Sequence, residues 1–335
     1  VLLVESPPAA TPSFAPFVLE WLLEEIGVEA KAFSGVGGFP LFRYSPSPFS
    51  GGSDHYILSD PTVGIPTPMV IQWPDRFYHT DQDTPDKSDP KMLWRVGTLA
   101  SSYAYFLANA SPEDVACLGY TILARLEKRL SDIACKAIAE VRGKSEPQEL
   151  ASLSAKTMAR LEFQGEVAAR VLASLQRLWP DGQEFIAKLQ AELADAEARL
   201  KGRFKDILDR KVNSLGLGDL PAPAEELSDS EREAANLIPI RLHKGPPASL
   251  VQKVKALPEP ERERWYRLNK EHKERRYVLP VTALYWSDGK RTLLEIFRLV
   301  EMETGLSASD FLLEYFRFLE KMGLVELRYV HQAIS

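Results

Sequence analysis

The chain has 335 residues, 45% of them hydrophobic and 26% charged, with a formal net charge of -6. That length supports two or three domains with substantial cores. The acidic balance excludes a molecule that binds nucleic acid over its whole surface, and no apolar run is long enough to span a bilayer.

Val1-Leu2-Leu3-Val4 reads as a strand already under way, without an initiator methionine, and predicts a polypeptide that continues upstream. Phe17, Val18, Trp21, Leu22 and Ile26 recur at helical spacing. Glu24-Glu25 then falls on the solvent edge of that helix. Val63 to Trp73 is an apolar, proline-bounded run that predicts a buried strand. Asp89-Pro90 starts a helix, with Asp as N-cap and Pro at the first helical position, running to about Leu107. Together these elements predict an α/β domain over 1–109. Its strand–loop–helix unit carries Tyr78 and His79 in the loop, where open α/β sheets place ligands.

Ser111-Pro112-Glu113-Asp114 opens a helical region over 110–215. Glu146-Pro147 and Trp179-Pro180-Asp181-Gly182 divide it into helices at about 112–142, 148–178 and 183–212. Short connections make neighbouring helices antiparallel. Cys117 and Cys135 fall on the first of them, about 27 Å apart along its axis, too far to pair. Read as buried free thiols, they point to a reducing, cytoplasmic setting. Residues 216–280 are rich in proline and predict an irregular connector. Within it a salt-bridged, exposed helix runs from Glu259 to about Arg275, Glu274 included.

Residues 281–330 carry a winged-helix pattern. Thr292 caps a helix that ends at Gly305, a second helix bears Phe311, Leu312, Tyr315, Phe316 and Leu319 and ends at Gly323, and Leu324-Val325-Glu326-Leu327 returns as a strand. The second helix also carries Asp310, Glu314 and Glu320, which would face phosphates in a groove, so the pattern favours a protein contact or a lid over DNA.

The chemistry concentrates in Gly52-Ser53-Asp54-His55, Gly64-Ile65-Pro66 and Tyr78-His79-Thr80-Asp81-Gln82-Asp83-Thr84. A neutral imidazole is the commonest metal ligand. Asp81 or Asp83 is placed to orient the His79 ring, Asp83 and Thr84 to hold the loop by side-chain to backbone bonds, and Tyr78 to donate to a developing oxyanion. His243 reads as part of an exposed loop, His272 as part of the charged helix, and His331 as part of a fraying tail.

These three segments resemble the C-terminal half of the catalytic domain of the co-catalytic di-zinc exopeptidases. The closer similarity is to a bacterial subgroup of aminopeptidase-like proteins with a C-terminal winged helix. The resemblance implies part of an α/β/α domain followed by a long helical region and a small winged helix, with helix dominant overall. It implies a zinc aminopeptidase acting on peptide substrates, with two zinc ions. His79 would be the last zinc ligand, Tyr78 a tyrosine that stabilises the tetrahedral intermediate, Asp54 a buried acid that hydrogen-bonds near the site, and His55 a polar neighbour. The family's remaining ligands would lie upstream of Val1. The acidic balance and the lack of a long apolar run predict no nucleic-acid and no membrane partner, and the helical region or winged helix is the place for a homo-oligomer contact. Two other readings stay open: a non-catalytic interaction module and a winged-helix regulator.

Overall fold

The computed structural model describes residues 1–27, 29–31, 33–223, 226–247, 249–273, 275 and 277–330. The readings of Glu274 and His331 lie outside the described residues. Helix dominates, beside a small mixed three-stranded sheet and two two-stranded antiparallel pairs.

The N-terminal part contains β1 (Leu2–Glu5), α1 (Ala15–Ile26), β2 (Glu29–Lys31), β3 (Gly38–Pro40), β4 (Tyr44–Ser47), α2 (Asp54–Leu58), β5 (Met69–Gln72) and α3 (Pro90–Asn109). The sheet order is β4-β1-β5, with β4 parallel and β5 antiparallel to β1. Side chains alternate across a strand, so Leu2 and Val4 share a face. They pack on Leu19 and Leu23 of α1 and Leu99 of α3. Glu24 and Glu25 are exposed, as a solvent edge requires, and Glu24 pairs with Arg125 at 2.8 Å.

The expected buried strand over 63–73 shortens to Met69–Gln72, a half-buried edge strand. Pro66 and Pro68 lack the N–H that a ladder needs. The residues before β5 instead fold back on themselves. The Ile65 N–H donates to the Leu58 carbonyl at 3.0 Å and the Thr67 N–H to the Ser59 hydroxyl at 2.9 Å.

Three helices follow: α4 (Pro112–Gly143), α5 (Pro147–Ala173) and α6 (Gln183–Ser214), each packed on the other two. Ser111 and Asp114 form a reciprocal cap on α4. The bundle core, including Ile122, Leu130, Leu161, Leu172 and Leu189, also takes in Phe14, Phe17 and Val18, so α1 joins the sheet to the bundle. Cys117 and Cys135 are exposed and free. This corrects the expectation of buried thiols and removes its bearing on compartment: both cysteines fall outside the stripe of α4 that Val115, Leu118, Ile122 and Leu126 bury. Among the described residues no helix is long and apolar enough to cross a membrane.

The C-terminal part holds α7 (Asp229–Ala234), β6 (Leu237–Arg241), α8 (Val251–Lys255), α9 (Glu259–Glu271), α10 (Leu279–Trp286), α11 (Leu293–Thr304), α12 (Ser309–Lys321) and β7 (Val325–Tyr329). Thr292 and Glu295 cap α11 reciprocally, and Gly305 ends it at φ 73°, the left-handed conformation open to glycine. β7 pairs antiparallel with β6, from Leu237 opposite Tyr329 to Arg241 opposite Val325. The stretch read as an irregular connector therefore supplies a strand, and Ala234, Leu237, Val254, Leu257 and Trp265 enter the same core as α10, α11 and α12.

Candidate functional site

β5 hands the chain to the loop that bears Tyr78 and His79. The Trp73 N–H donates to the Val1 carbonyl at 3.1 Å, which sets the start of this loop beside the amino end of β1. The Thr80 N–H and hydroxyl both bond the Phe77 carbonyl, at 3.0 and 2.7 Å, and the Phe77 N–H bonds Asp75 at 2.8 Å. Between these turns His79 takes φ 58°, a left-handed conformation that costs a non-glycine residue about 1–2 kcal/mol. The result is an exposed imidazole stacked on the Tyr78 ring, with centroids 3.8 Å apart and planes at 18°. Tyr78 is itself 46% exposed and meets Trp73 edge to face at 5.7 Å.

Asp83 is exposed and donates its N–H to the Thr80 carbonyl at 3.3 Å. Thr84 bonds Asp86 through its hydroxyl, so it holds the loop locally. Among the described residues no hydrogen bond joins Asp81 or Asp83 to the His79 ring. The expected orienting carboxylate is therefore not engaged; the aromatic neighbour positions the ring.

Asp54 and His55 occupy a different place, and their roles are exchanged relative to expectation. Asp54 is exposed in the first turn of α2, not a buried acid; His55, one residue on, turns inward and is 4% exposed. Its Nε2 lies 2.8 Å from Oε1 of Glu5, itself 3% exposed. The Glu5 carboxylate also accepts the Ser50 N–H at 2.7 Å, the Ser50 hydroxyl at 2.5 Å and the Gly51 N–H at 3.1 Å. Burial alone would push the Glu5 carboxyl up, but the bonds from His55 and Ser50 outweigh it and hold the group below its ordinary range. Ser50, Glu5 and His55 do not make a nucleophilic triad. The carboxylate sits between hydroxyl and imidazole, whereas activation requires the imidazole to touch the hydroxyl. The His55 Nδ1 is buried without a hydrogen-bond partner among the described residues.

β1 separates the two groups. Glu5 pairs with Met69 and Leu2 with Gln72 in the antiparallel register. The His79 loop thus leaves the sheet at the amino end of β1, and His55 is tied to its carboxyl end, a strand length of about 10 Å away. Sequence order alone places Asp54, His55 and His79 on one rim. The antiparallel sense of β5 separates the attachment points.

A catalytic zinc takes three protein ligands or more. Among the described residues no group of three His, Cys, Asp or Glu side chains is spaced to hold a metal. One exposed imidazole with no carboxylate behind it does not fit a zinc ion by itself.

Two buried arrangements carry almost no signal in the sequence. Glu5 is one, marked only by an acid closing the apolar run Leu2-Leu3-Val4. The other is a bidentate pair: Arg241 Nη1 and Nη2 meet Asp60 Oδ1 and Oδ2 at 3.1 and 2.8 Å, with the two side chains 5% and 0% exposed. Asp60 also accepts the Thr62 N–H and hydroxyl at 2.8 and 2.7 Å. Arg241 donates further to the carbonyls of Leu284 and Gly245 at 3.2 and 2.7 Å. His243, expected in an exposed loop, is half-buried, with Nδ1 bonded to the Gly245 carbonyl at 2.6 Å. Burial pushes its imidazole below the ordinary range. These groups, with the Tyr285 hydroxyl donating to the Tyr56 carbonyl, fasten the sheet domain to the C-terminal core.

Comparison with protein-family models, with curated proteins and with solved structures found no match.

Proposed function

We propose that this chain contributes the His79 loop of a metal-dependent aminopeptidase of the di-zinc exopeptidase type, with the remaining metal donors supplied by residues outside those described. The observation that carries this reading is the conformation of His79. A left-handed non-glycine residue in the loop that follows β5 costs free energy and persists where the surroundings hold it, often at functional sites. Here it places an exposed imidazole against the ring of an exposed tyrosine. In this reading Tyr78 donates to the oxyanion and His79 is the metal ligand. Asp83 lies on the same loop. His55 acts through Glu5 on the carboxyl end of β1, and Asp54 lies at the surface beside it. The substrate would be a peptide with a free N-terminus, and zinc the metal.

The test is elemental analysis of the purified chain at verified mass, together with hydrolysis of amino-acid anilides, for the parent and His79→Gly. Zinc uptake and hydrolysis that both vanish in His79→Gly support the reading. Zinc uptake that is unchanged in His79→Gly overturns it; the second reading is a non-catalytic interaction module. One observation favours that second reading: α3 exposes Leu93, Trp94 and Tyr105 at 63%, 65% and 71%.

A further inference from the structure

A cavity of about 340 Å³ opens at the carboxyl ends of the parallel strands β1 and β4, on the opposite side of the sheet domain from the His79 loop. In open α/β sheets this is where small ligands sit, and the volume falls at the lower end of the range for such sites, about 300–1,000 Å³. Ser6 and Pro7 reach it from β1, and Pro46, Ser47 and Pro48 from β4. Val167 and Val171 of α5 form one wall, and Phe17 and Phe49 add aromatic rings. Proline backbones are fixed in φ, so this lining is shaped before a ligand arrives.

The cavity has two charged side chains, and they differ in sign. Arg129 lies with its guanidinium 4.7 Å from the centroid of Phe17. Its contact with Glu20 is long, 3.5 Å, because Arg125 holds the same carboxylate at 2.9 Å. Arg129 therefore keeps donors for another acceptor. The first turn of α1 beside it carries no acid to compete for Arg129, and its N–H groups are already bonded, that of Phe14 to the Ser174 hydroxyl and that of Ala15 to the Ser13 hydroxyl.

The other charged group is Glu303 of α11. It accepts the Ala9 N–H and the Trp286 indole N–H, both at 2.8 Å. Among the described residues it makes no ion pair with a cation. Burial accordingly pushes its carboxyl above the ordinary range. A carboxylate held in an apolar wall by neutral donors alone gains most from an incoming ammonium group.

A ligand that carries both charges complements both groups, whereas a singly charged or neutral ligand complements one or neither. We propose that this cavity binds a free apolar L-amino acid, with its carboxylate toward Arg129, its ammonium toward Glu303, and its side chain against the proline and phenylalanine rings. The inference does not depend on the peptidase reading, since its test reads binding and not hydrolysis.

The test is isothermal titration of the whole chain near neutral pH with L-phenylalanine and L-leucine, then with N-acetyl-L-phenylalanine and L-phenylalaninamide. Saturable binding of the two amino acids is expected, with each capped form weaker by at least about tenfold. Val167→Phe, which fills the cavity from α5 without touching either charge, is expected to abolish binding while leaving the melting temperature unchanged or higher. Glu303→Gln is expected to weaken L-phenylalanine while leaving N-acetyl-L-phenylalanine where it was. The proposal is overturned if neither amino acid gives a saturable heat with the folded chain. It is equally overturned if the acetylated form binds as well as the free one, or if Val167→Phe binds like the parent.

Discussion

Breaking the Asp60–Arg241 pair should cost far more than its surface counterparts. Arg241→Met leaves Asp60 fully buried with only the N–H and hydroxyl of Thr62 as donors. An unpaired buried charge of this kind costs about 3–5 kcal/mol. Asp60→Asn removes the negative charge and leaves the guanidinium buried against the carbonyls of Leu284 and Gly245. The same reasoning gives a similar cost, about 3–5 kcal/mol. The double variant removes both charges, so it should not cost the sum. A coupling of about 2–3 kcal/mol is expected from residues that share one network. Guanidinium denaturation of the parent, both single variants and the double, followed by tryptophan fluorescence, measures all four corners of the cycle. Additivity within about 0.5 kcal/mol would refute the reasoning. So would an Arg241→Met cost below about 1 kcal/mol, the scale of an exposed pair.

Two further predictions follow from packing and charge. The Glu5 carboxyl is held below its ordinary value of 4.5, so its contribution to stability is present above that value and lost as the pH falls through the folded-state value. Melting temperatures measured down an acid series should drop below pH 4.5, and Glu5→Gln should be less stable near neutrality with a shallower acid slope; an unchanged slope would show that the buried carboxylate is not the group responsible. Gly119→Ala places a Cβ 2.8 Å from Leu189 Cδ1 and 2.9 Å from Phe185 Cε1, where α4 meets α6. Overpacking of about 1–3 kcal/mol should exceed the gain of about 1 kcal/mol in helix propensity. The melting temperature should fall, and a rise would mean that propensity wins.

Local chemistry is legible in the order of the residues. Asp89-Pro90, Ser111-Pro112 and Thr292 start helices at the residues expected, because a cap is a bond between neighbours in sequence. Pro147 opens α5 and the Trp179-to-Gly182 turn precedes α6 as expected, while α5 itself ends at Ala173, short of that turn, and passes into a 3-10 turn over Ser174–Arg177. Longer-range pairing is not legible in this way. Leu237 to Arg241 has the composition of a connector because it lies between prolines, yet it is the strand on which Val325 to Tyr329 depends. No property of either segment alone identifies the other.

The candidate site divides the same way. The composition of the Tyr78-His79 loop is a property of the sequence, and so is the presence of an acid after Leu2-Leu3-Val4. Only the tertiary structure decided that His55 and not Asp54 turns inward, because the residue that draws it, Glu5, lies fifty positions earlier. Likewise, only the antiparallel register of β5 against β1 decided that the His79 loop and the Glu5–His55 pair leave opposite ends of the same strand. Caps and periodicity act over three or four residues and can be read directly. Burial, strand sense and ion pairing depend on partners brought together by the whole fold.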